Sequence, residues 1–266
     1  LSATPDATTL RVGTTAPSGR NPSPMRLTVL GSSGTFAGPD DACSGYLVEH
    51  DGFRLVMDVG PGTLANLQRH LPLDRIDAVL LSHAHPDHWG ELPTLCNAYR
   101  YVLGRDDLPV LGPADALACV EAALGGSTSP TFALEEAGDG DEFELGPIEL
   151  RCSATDHPGV TLGFHLSAGD VAIGYSADTG PGWSYKEFNA PVTLGLCETS
   201  YVEAGDTGGM HLSAAEAGAM CRDAGVSFLA ATHIVPGQDR DAILGAATSA
   251  FGGQVHLATP HLRFEL

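Results

Sequence analysis

The sequence predicts an α/β fold, a four-layer αββα sandwich in which two mixed β-sheets pack face to face with helices outside. Short aliphatic and β-branched segments bounded by Gly, Pro or Asp alternate with helix-like segments in both halves of the chain. Residues 164–176 contain two such strand-like segments around Ala168-Gly169-Asp170, which is the pattern of a hairpin. The chain has 266 residues and is 43% hydrophobic, which fits one large domain with a sizeable core.

The predicted elements begin after residue 24. Residues 1–24 are rich in Ser, Thr, Pro, Ala and Gly and show no apolar period, so they are predicted to form a flexible tail. They lack the basic region and the continuous apolar run of a secretory signal. The folded domain is predicted to extend over residues 25–266.

Short, aliphatic segments between turn residues are predicted to be strands. They are residues 27–30, 45–49, 53–58, 78–81, 110–111, 143–145, 148–152, 160–167, 171–176, 192–197, 227–232 and 254–257. Longer segments are predicted to be helices at residues 63–70, 92–101, 114–124, 214–224 and 239–251. Ser213 followed by Glu216 is the capping-box pattern, which indicates that the fourth of these helices begins there.

Charge and cysteine usage limit the partners and the compartment. The net charge is -20, and Lys186 is the only lysine, so a large nucleic-acid partner is not expected. No apolar stretch approaches the roughly 18–20 residues that cross a bilayer, so no membrane association is expected. The six cysteines are scattered and never form a C-x-x-C pair, which favours buried free thiols and a cytoplasmic location.

The segment Ser82-His83-Ala84-His85-Pro86-Asp87-His88 is the strongest functional signal in the chain. It places three imidazoles and a carboxylate within six residues, and these ligands suit zinc and its first-row neighbours. His83 and His85 are two residues apart, so in an extended segment they point the same way. Asp87 and His88 follow a turn and can face a second ion. The alternative is a chance cluster of polar residues in a loop.

Further candidate ligands lie downstream, each at the end of a predicted strand. They are His157, Asp178 and His233. Side chains at strand ends sit on a rigid frame, which metal geometry requires. Each residue alone is a weak signal, but together with the first cluster they make five histidines and two aspartates, enough for two ions with one shared carboxylate.

In order and spacing, this set resembles the metallo-β-lactamase-fold hydrolases, from about Arg26 onward. The resemblance also includes Gly31-Ser32-Ser33-Gly34 and Asp58-Val59-Gly60-Pro61-Gly62. It implies two groups of metal ligands with one shared member: His83, His85 and His157 for the first ion, Asp87, His88 and His233 for the second, and Asp178 bridging both. It implies two divalent ions, with zinc first and manganese or iron as alternatives.

Within that superfamily, three segments resemble the ribonuclease Z-like and phosphodiesterase branch: Tyr175-Ser176-Ala177-Asp178-Thr179-Gly180, Met210-His211-Leu212-Ser213 and Cys197-Glu198-Thr199-Ser200. Length and layout are similar to an actinobacterial group that hydrolyses cyclic nucleotides. The long basic arm with which ribonuclease Z grips transfer RNA has no counterpart here. The resemblance therefore implies a phosphodiesterase that acts on a small substrate through a metal-bridging hydroxide.

Three residues are expected to have catalytic roles in addition to metal binding. Asp87 is expected to orient the attacking group, and His211 to donate a proton to the leaving group. Glu198 is expected to hold the His211 ring in its useful tautomer. The alternatives are a surface charge for Glu198 and a histidine beside a helix start, without a role, for His211.

Other residues and activities remain open. Asp58 is expected either to hydrogen-bond a ligand histidine or to cap the helix near Thr63. The histidines without a partnered motif are expected to be structural or exposed: His50, His70, His165, His256 and His261. A ribonuclease Z-like nuclease, a carboxylic or thioester hydrolase and a non-catalytic metal-holding scaffold are the alternatives to the phosphodiesterase. A homodimer is possible.

Overall fold

The strands and helices alternate along the chain, as the sequence predicts. The computed structural model describes residues 8–12, 23–206 and 208–266. Its strands are β1 (Thr9–Arg11), β2 (Arg26–Gly31), β3 (Gly45–His50), β4 (Phe53–Val59), β5 (Ala78–Leu80), β6 (Leu108–Gly112), β7 (Phe132–Glu136), β8 (Glu142–Leu145), β9 (Ile148–Ala154), β10 (Leu162–Ala168), β11 (Val171–Tyr175), β12 (Leu194–Glu198), β13 (Phe228–Thr232), β14 (Val255–Leu257) and β15 (Arg263–Glu265). Its α-helices are α1 (Thr63–Leu67), α2 (Pro86–Trp89), α3 (Leu92–Ala98), α4 (Ala114–Ala123), α5 (Ala214–Asp223) and α6 (Arg240–Phe251).

The strands form two mixed sheets. Within the described residues, the first sheet has the order β1-β15-β2-β3-β4-β5-β6-β7, and the second has the order β14-β13-β12-β11-β10-β9-β8. In the first sheet β4 to β7 are parallel, and in the second β11 to β14 are parallel. The remaining neighbours are antiparallel, apart from β1 and β15. The two mixed sheets of the prediction are confirmed.

Alternating side chains explain the four layers. In β4, Leu55 and Met57 pack in the core between the sheets, whereas Val56 packs under the helices on the outer face. The outer face of the first sheet is covered by α1, α3 and α4, and that of the second by α5 and α6. This period-two division of apolar residues between two cores is what a sheet buried on both faces requires.

The structure contains a helix cap and a hairpin turn at the positions that the sequence predicted. The Ser213 hydroxyl and the Glu216 carboxylate form both hydrogen bonds of the capping box, so the predicted start of α5 is confirmed. The β10–β11 hairpin turns at Gly169, whose φ of 60° suits glycine. All six cysteines are free, and five are buried. Among the described residues, no helix has the length and apolarity to span a membrane.

The predicted tail needs a correction at one point. Residues 9–11 form β1, because their backbone pairs in parallel with β15. A three-residue strand of polar and apolar side chains has no local signal, and its partner lies more than 250 residues away. Residues 1–7 and 13–22 of the predicted tail lie outside the described residues. The strands β7 and β15 and the short helix α2 are additions that the sequence analysis did not predict.

Candidate metal centre

The seven predicted ligands lie where strands of both sheets end. His83 and His85 follow β5, and Asp87 and His88 lie on α2, which begins with Pro86 at its first turn. The other three follow strands of the second sheet: His157 after β9, Asp178 after β11 and His233 after β13. The two sheets meet at this edge through a hydrogen bond from the Leu162 N–H to the Ser82 carbonyl at 3.0 Å.

Two glycines allow this edge to close. A Cβ at Gly34 would lie 2.7 Å from Nδ1 of His233, and a Cβ at Gly60 would collide with the carbonyl of Asp87. Neither contact can be relieved by a side-chain rotation alone, because backbone atoms are involved in both. Both glycines belong to the segments on which the family resemblance was based.

Four of these side chains form the first ligand group: His83, His85, His157 and Asp178. Nε2 of His157 lies 3.3 Å from Nδ1 of His85. Oδ2 of Asp178 lies 3.6 Å from Nε2 of His83 and 3.9 Å from Nε2 of His157.

Asp87, His88 and His233 form the second group. Nε2 of His88 and Nε2 of His233 are 3.3 Å apart, and Oδ2 of Asp87 lies 3.6 and 3.4 Å from them. The second carboxylate oxygen of Asp178, Oδ1, lies 3.3 Å from Nε2 of both histidines. Asp178 thus presents one oxygen to each group, which is the arrangement of a shared ligand.

The donor atoms fit two metal ions. Two ligands that each lie about 2.1 Å from a tetrahedral zinc ion are about 3.4 Å apart, and the separations above are 3.3–3.9 Å. Nε2 of His83 and Oδ1 of Asp178 are buried and have no hydrogen-bond partner. Because buried polar atoms are nearly always satisfied, these two atoms are best explained as metal ligands.

The charges of the centre also favour cations. Burial alone would raise the pKa of Asp178, but the adjacent His233 and His88 hold it well below its usual range. Burial, and then the charge of His88, lower the pKa of His83 well below 6.5. The Asp178 carboxylate is therefore ionised and the His83 imidazole is neutral, which are the forms that bind a metal.

Asp58 orients His88 directly and His83 through Ser82. Its Oδ2 accepts a hydrogen bond from Nδ1 of His88 at 2.7 Å and one from the Tyr175 hydroxyl at 2.8 Å. The carboxylate also accepts hydrogen bonds from Ser82, from the N–H on Oδ1 and from the hydroxyl on Oδ2. The Oγ of Ser82 lies 3.0 Å from Nδ1 of His83. The first of the two alternatives for Asp58 is therefore correct. The start of α1 carries no side-chain cap, so the capping alternative is wrong.

Glu198 is buried, so the alternative of a surface charge is wrong. Its Oε1 lies 3.2 Å from Nδ1 of His211, and its Oε2 accepts the Ser200 hydroxyl at 2.7 Å. Ser200 Oγ lies in turn 3.0 Å from Nδ1 of His233. One carboxylate thereby connects His211 with the second ligand group.

His211 lies beside the ligands. Its ring stacks on that of His233 with centroids 5.6 Å apart, and it can also form a donor group with Asp178 and His233. Burial would lower the pKa of His211, but the hydrogen bond and the charge of Glu198 outweigh it and raise the pKa above 6.5. A protonated imidazole near neutral pH is suited to proton donation.

The backbone is strained at this centre. Asp58, Ala177 and His233 have φ values of 55°, 50° and 54°, in the left-handed region that favours glycine. Each residue is a predicted ligand, the neighbour of a predicted ligand or a hydrogen-bond partner of one. Such strain persists where the surrounding structure over-determines the conformation, and it is concentrated at functional sites.

Three exposed, large apolar residues lie in segments that contain or contact predicted ligands. Phe36 follows Thr35, whose N–H donates to Oδ2 of Asp87 at 2.8 Å. Met210 accepts a hydrogen bond from Nδ1 of His157 on its carbonyl, and Val160 follows three residues after His157. The three side chains are 47–53% exposed. We refer to Phe36, Val160 and Met210 as the apolar rim.

Some parts of this centre were not found from the sequence. Tyr175 and Ser82 were quoted only as parts of motifs, and neither was expected to contact Asp58. The hydroxyl of Ser200, two residues after Glu198, connects this carboxylate to His233. The available sequence signal was the position of small polar residues at strand ends. It does not identify their hydrogen-bond partners, because these depend on long-range contacts.

Residues 53–234 match the family model described as beta-lactamase superfamily domain. The chain is 34% identical over 253 residues to an uncharacterized protein of Mycobacterium tuberculosis, covering 91% of this chain and 92% of the relative. It is 28% identical to ribonuclease Z of Mycobacterium marinum, covering 91% and 99%. The crystal structure of the metallo-beta-lactamase fold protein YhfI from Bacillus subtilis has a TM-score of 0.83 at 26% identity, covering 92% of this chain and all of that one.

The family model spans more than half of the chain, and the sequence relatives align over most of it. The solved structure has the same two-sheet architecture. The chain therefore belongs to the beta-lactamase superfamily and has the metallo-β-lactamase fold.

Proposed function

We propose that this metal-dependent hydrolase cleaves the phosphodiester bond of a small substrate, and that this substrate is a cyclic nucleotide. The observation that carries the proposal is the division of the Asp178 carboxylate between two groups of donor atoms. Two ions so placed suit in-line displacement at phosphorus, because one can stabilise the attacking oxygen and the other the leaving oxygen.

The seven predicted ligands would hold two divalent ions, for which zinc suits the imidazole and carboxylate donors best. When bound, these ions would act as Lewis acids and lower the pKa of a coordinated water. Asp87 reaches the second group with Oδ2, and that same oxygen accepts the Thr35 N–H at 2.8 Å. We propose that this hydrogen bond fixes the carboxylate so that Asp87 also orients the attacking group.

His211 would supply the proton for the leaving oxygen. Its ring lies beside both His157 and His233, with centroid distances of 5.1 and 5.6 Å. Nδ1 faces Glu198, so Nε2 is the nitrogen left to carry a proton toward the substrate. Glu198 would act as a positioning residue, because it is buried and touches the ring of His211.

The surroundings of the centre favour a small substrate with an apolar or aromatic part. The apolar rim offers contact surface for such a group. The net charge of -20 repels long polyanions, and segment 182–191 carries a single lysine. The relative named ribonuclease Z supports phosphodiester chemistry in this part of the superfamily, and this charge balance favours a nucleotide over a folded RNA.

The test is a substrate panel with purified, metal-loaded protein. The panel contains bis-p-nitrophenyl phosphate, cyclic AMP, a precursor transfer RNA and a thioester, each assayed with zinc and with manganese. We expect cleavage of the two small phosphodiesters, and His211→Ala is the matched variant that should keep the metal and lose the rate. Cleavage of the RNA or the thioester instead of the small phosphodiesters would overturn the proposal.

A further inference from the structure

Four basic side chains form a chain of contacts where α1 ends and β15 begins. Nη2 of Arg263 lies 2.8 Å from Nδ1 of His70. Nε2 of His70 lies 2.9 Å from Nδ1 of His261, and Nε2 of His261 lies 3.3 Å from Nη1 of Arg69. We call this set, Arg69, His70, His261 and Arg263, the basic cluster. The sequence analysis expected its two histidines to be structural or exposed.

The basic cluster has one acceptor too few for its own contacts. A guanidinium only donates, and a neutral imidazole has one donor and one acceptor nitrogen. The three contacts need three acceptors, and the two imidazoles supply two. Whichever tautomers His70 and His261 adopt, one contact brings two donors together, and protonation of either ring adds another donor. An acceptor from outside the cluster would remove this conflict.

Two further polar groups, one in the basic cluster and one beside it, lack hydrogen-bond partners. Nε of Arg263 is buried without a hydrogen-bond acceptor. Thr28 lies directly opposite Arg263 in the β2–β15 pair, its side chain is fully buried, and its hydroxyl has no partner. Directly paired residues carry their side chains on the same face of a sheet, so both groups point toward the outer face that α1 covers.

The charge of the basic cluster is not neutralised by carboxylates. Among the described residues, the guanidinium groups of Arg69 and Arg263 form hydrogen bonds with histidine rings and no salt bridge with a carboxylate, whereas Arg26 pairs with Glu49 and Glu265. Burial, and then the charge of Arg263, lower the pKa of His70 to about 4, so its ring is neutral at neutral pH. Two guanidinium groups without a carboxylate are unusual in a chain of net charge -20.

We infer that the basic cluster binds a tetrahedral oxyanion, either inorganic phosphate or the phosphate of a phosphomonoester. Such an anion offers several acceptor oxygens, which match two guanidinium groups, an imidazole N–H and a threonine hydroxyl. Arg69 is exposed, so a solute can reach it. The site is separate from the metal centre. The segment before α1 approaches Asp87 at Gly60, whereas Arg69 and His70 follow the other end of that helix.

The test is a titration of inorganic phosphate into the metal-loaded full chain, followed by calorimetry and by the ring nitrogen resonances of ¹⁵N-labelled histidines. The variants are Arg69→Gln, which changes an exposed residue, and Arg222→Gln as the matched control, an exposed arginine that pairs with Asp223. We expect Arg69→Gln to weaken binding by roughly tenfold or more, and Arg222→Gln to leave it unchanged. Phosphate should shift the resonances of His70 and His261.

Adenosine monophosphate and acetate form the comparison arms. Tighter binding of the monophosphate than of free phosphate would identify a phosphomonoester as the ligand, and the reverse would identify phosphate itself. Equal phosphate affinity in wild type, Arg69→Gln and Arg222→Gln would overturn the inference, because the anion would then bind elsewhere. Resonances of His70 and His261 that stay unmoved, or acetate binding as tight as phosphate binding, would also overturn it.

Discussion

Nδ1 of His211 lies 3.2 Å from Oε1 of the buried Glu198 carboxylate. The same carboxylate accepts hydrogen bonds from the N–H groups of Thr179 and Leu212. Thr179 directly follows Asp178, the proposed shared ligand, and Leu212 directly follows His211. Glu198 therefore connects the proposed proton donor to the backbone that holds the Asp178 carboxylate.

His211→Ala is expected to keep both metal ions and to lower kcat by about 10²–10⁴-fold, because a general acid contributes about that factor. Metal content by mass spectrometry and steady-state kinetics on bis-p-nitrophenyl phosphate check this. His256→Ala, a histidine outside the centre, is the control. Loss of metal in the His211 variant would show that it is a ligand instead.

Glu198→Gln is expected to move the alkaline limb of the pH–rate profile to lower pH. The charge and hydrogen bond of Glu198 raise the pKa of His211, so removing the charge lowers it. The protonated form is then lost at lower pH, and the rate falls earlier as the pH rises. Glu203→Gln, an exposed neighbour, should leave the profile in place. An unchanged limb in the Glu198 variant would contradict the positioning role.

His85→Ala is expected to reduce metal content below the roughly two ions per chain expected for wild type, and to abolish turnover. His85 is exposed, so its loss should not unfold the chain. Loading wild type with zinc should raise its Tm, because a ligand that binds only the folded state stabilises it. Full metal content in His85→Ala would remove this residue from the ligand set.

Ala177→Gly is expected to change the free energy of unfolding by less than about 0.5 kcal/mol. The φ of 50° costs an alanine about 1 kcal/mol, which offsets the lost methyl group and the greater freedom of glycine in the unfolded chain. Ala172→Gly, a change in β11 at a residue outside this backbone region, should cost about 1 kcal/mol or more. Urea unfolding of both variants measures these changes in the free energy of unfolding. Equal losses of stability in the two variants would mean that the backbone of Ala177 is unstrained.

Phe36→Ala is expected to raise KM by several-fold with little change in kcat, because the rim would contact a part of the substrate that does not react. Val102→Ala, a change at an exposed apolar residue outside the rim, is the control. The two variants should be assayed on cyclic AMP. A drop in kcat alone would instead indicate that Phe36 positions Asp87 through Thr35.

The sequence predicted the parts of the centre that depend on local order. His83 and His85 were found by their spacing, and His157 by its place at the end of a strand. A ligand histidine was one of two partners expected for Asp58, but neither His88 in particular nor Tyr175 could be identified in this way, because they lie 30 and 117 residues away. Such contacts depend on how the strands are ordered in the sheets, and a single sequence does not specify that order.

The same limit applies to the basic cluster and to β15. His70 and His261 are 191 residues apart, and neither segment carries a motif. The three-residue β15 is too short to show a period, and only its pairing with β2 and β1 defines it. The four-layer architecture was predictable because strand-like and helix-like segments alternate in both halves of the chain and residues 164–176 carry a hairpin pattern.

The position of β15 between β1 and β2 has a consequence for biosynthesis. A ribosome makes β2 first and residues 263–265 more than 230 residues later, so in the nascent chain one side of β2 has no hydrogen-bonding neighbour. Unpaired edges of this kind invite association with other chains. A nascent or truncated chain without its last strand would therefore be the form most in need of a chaperone.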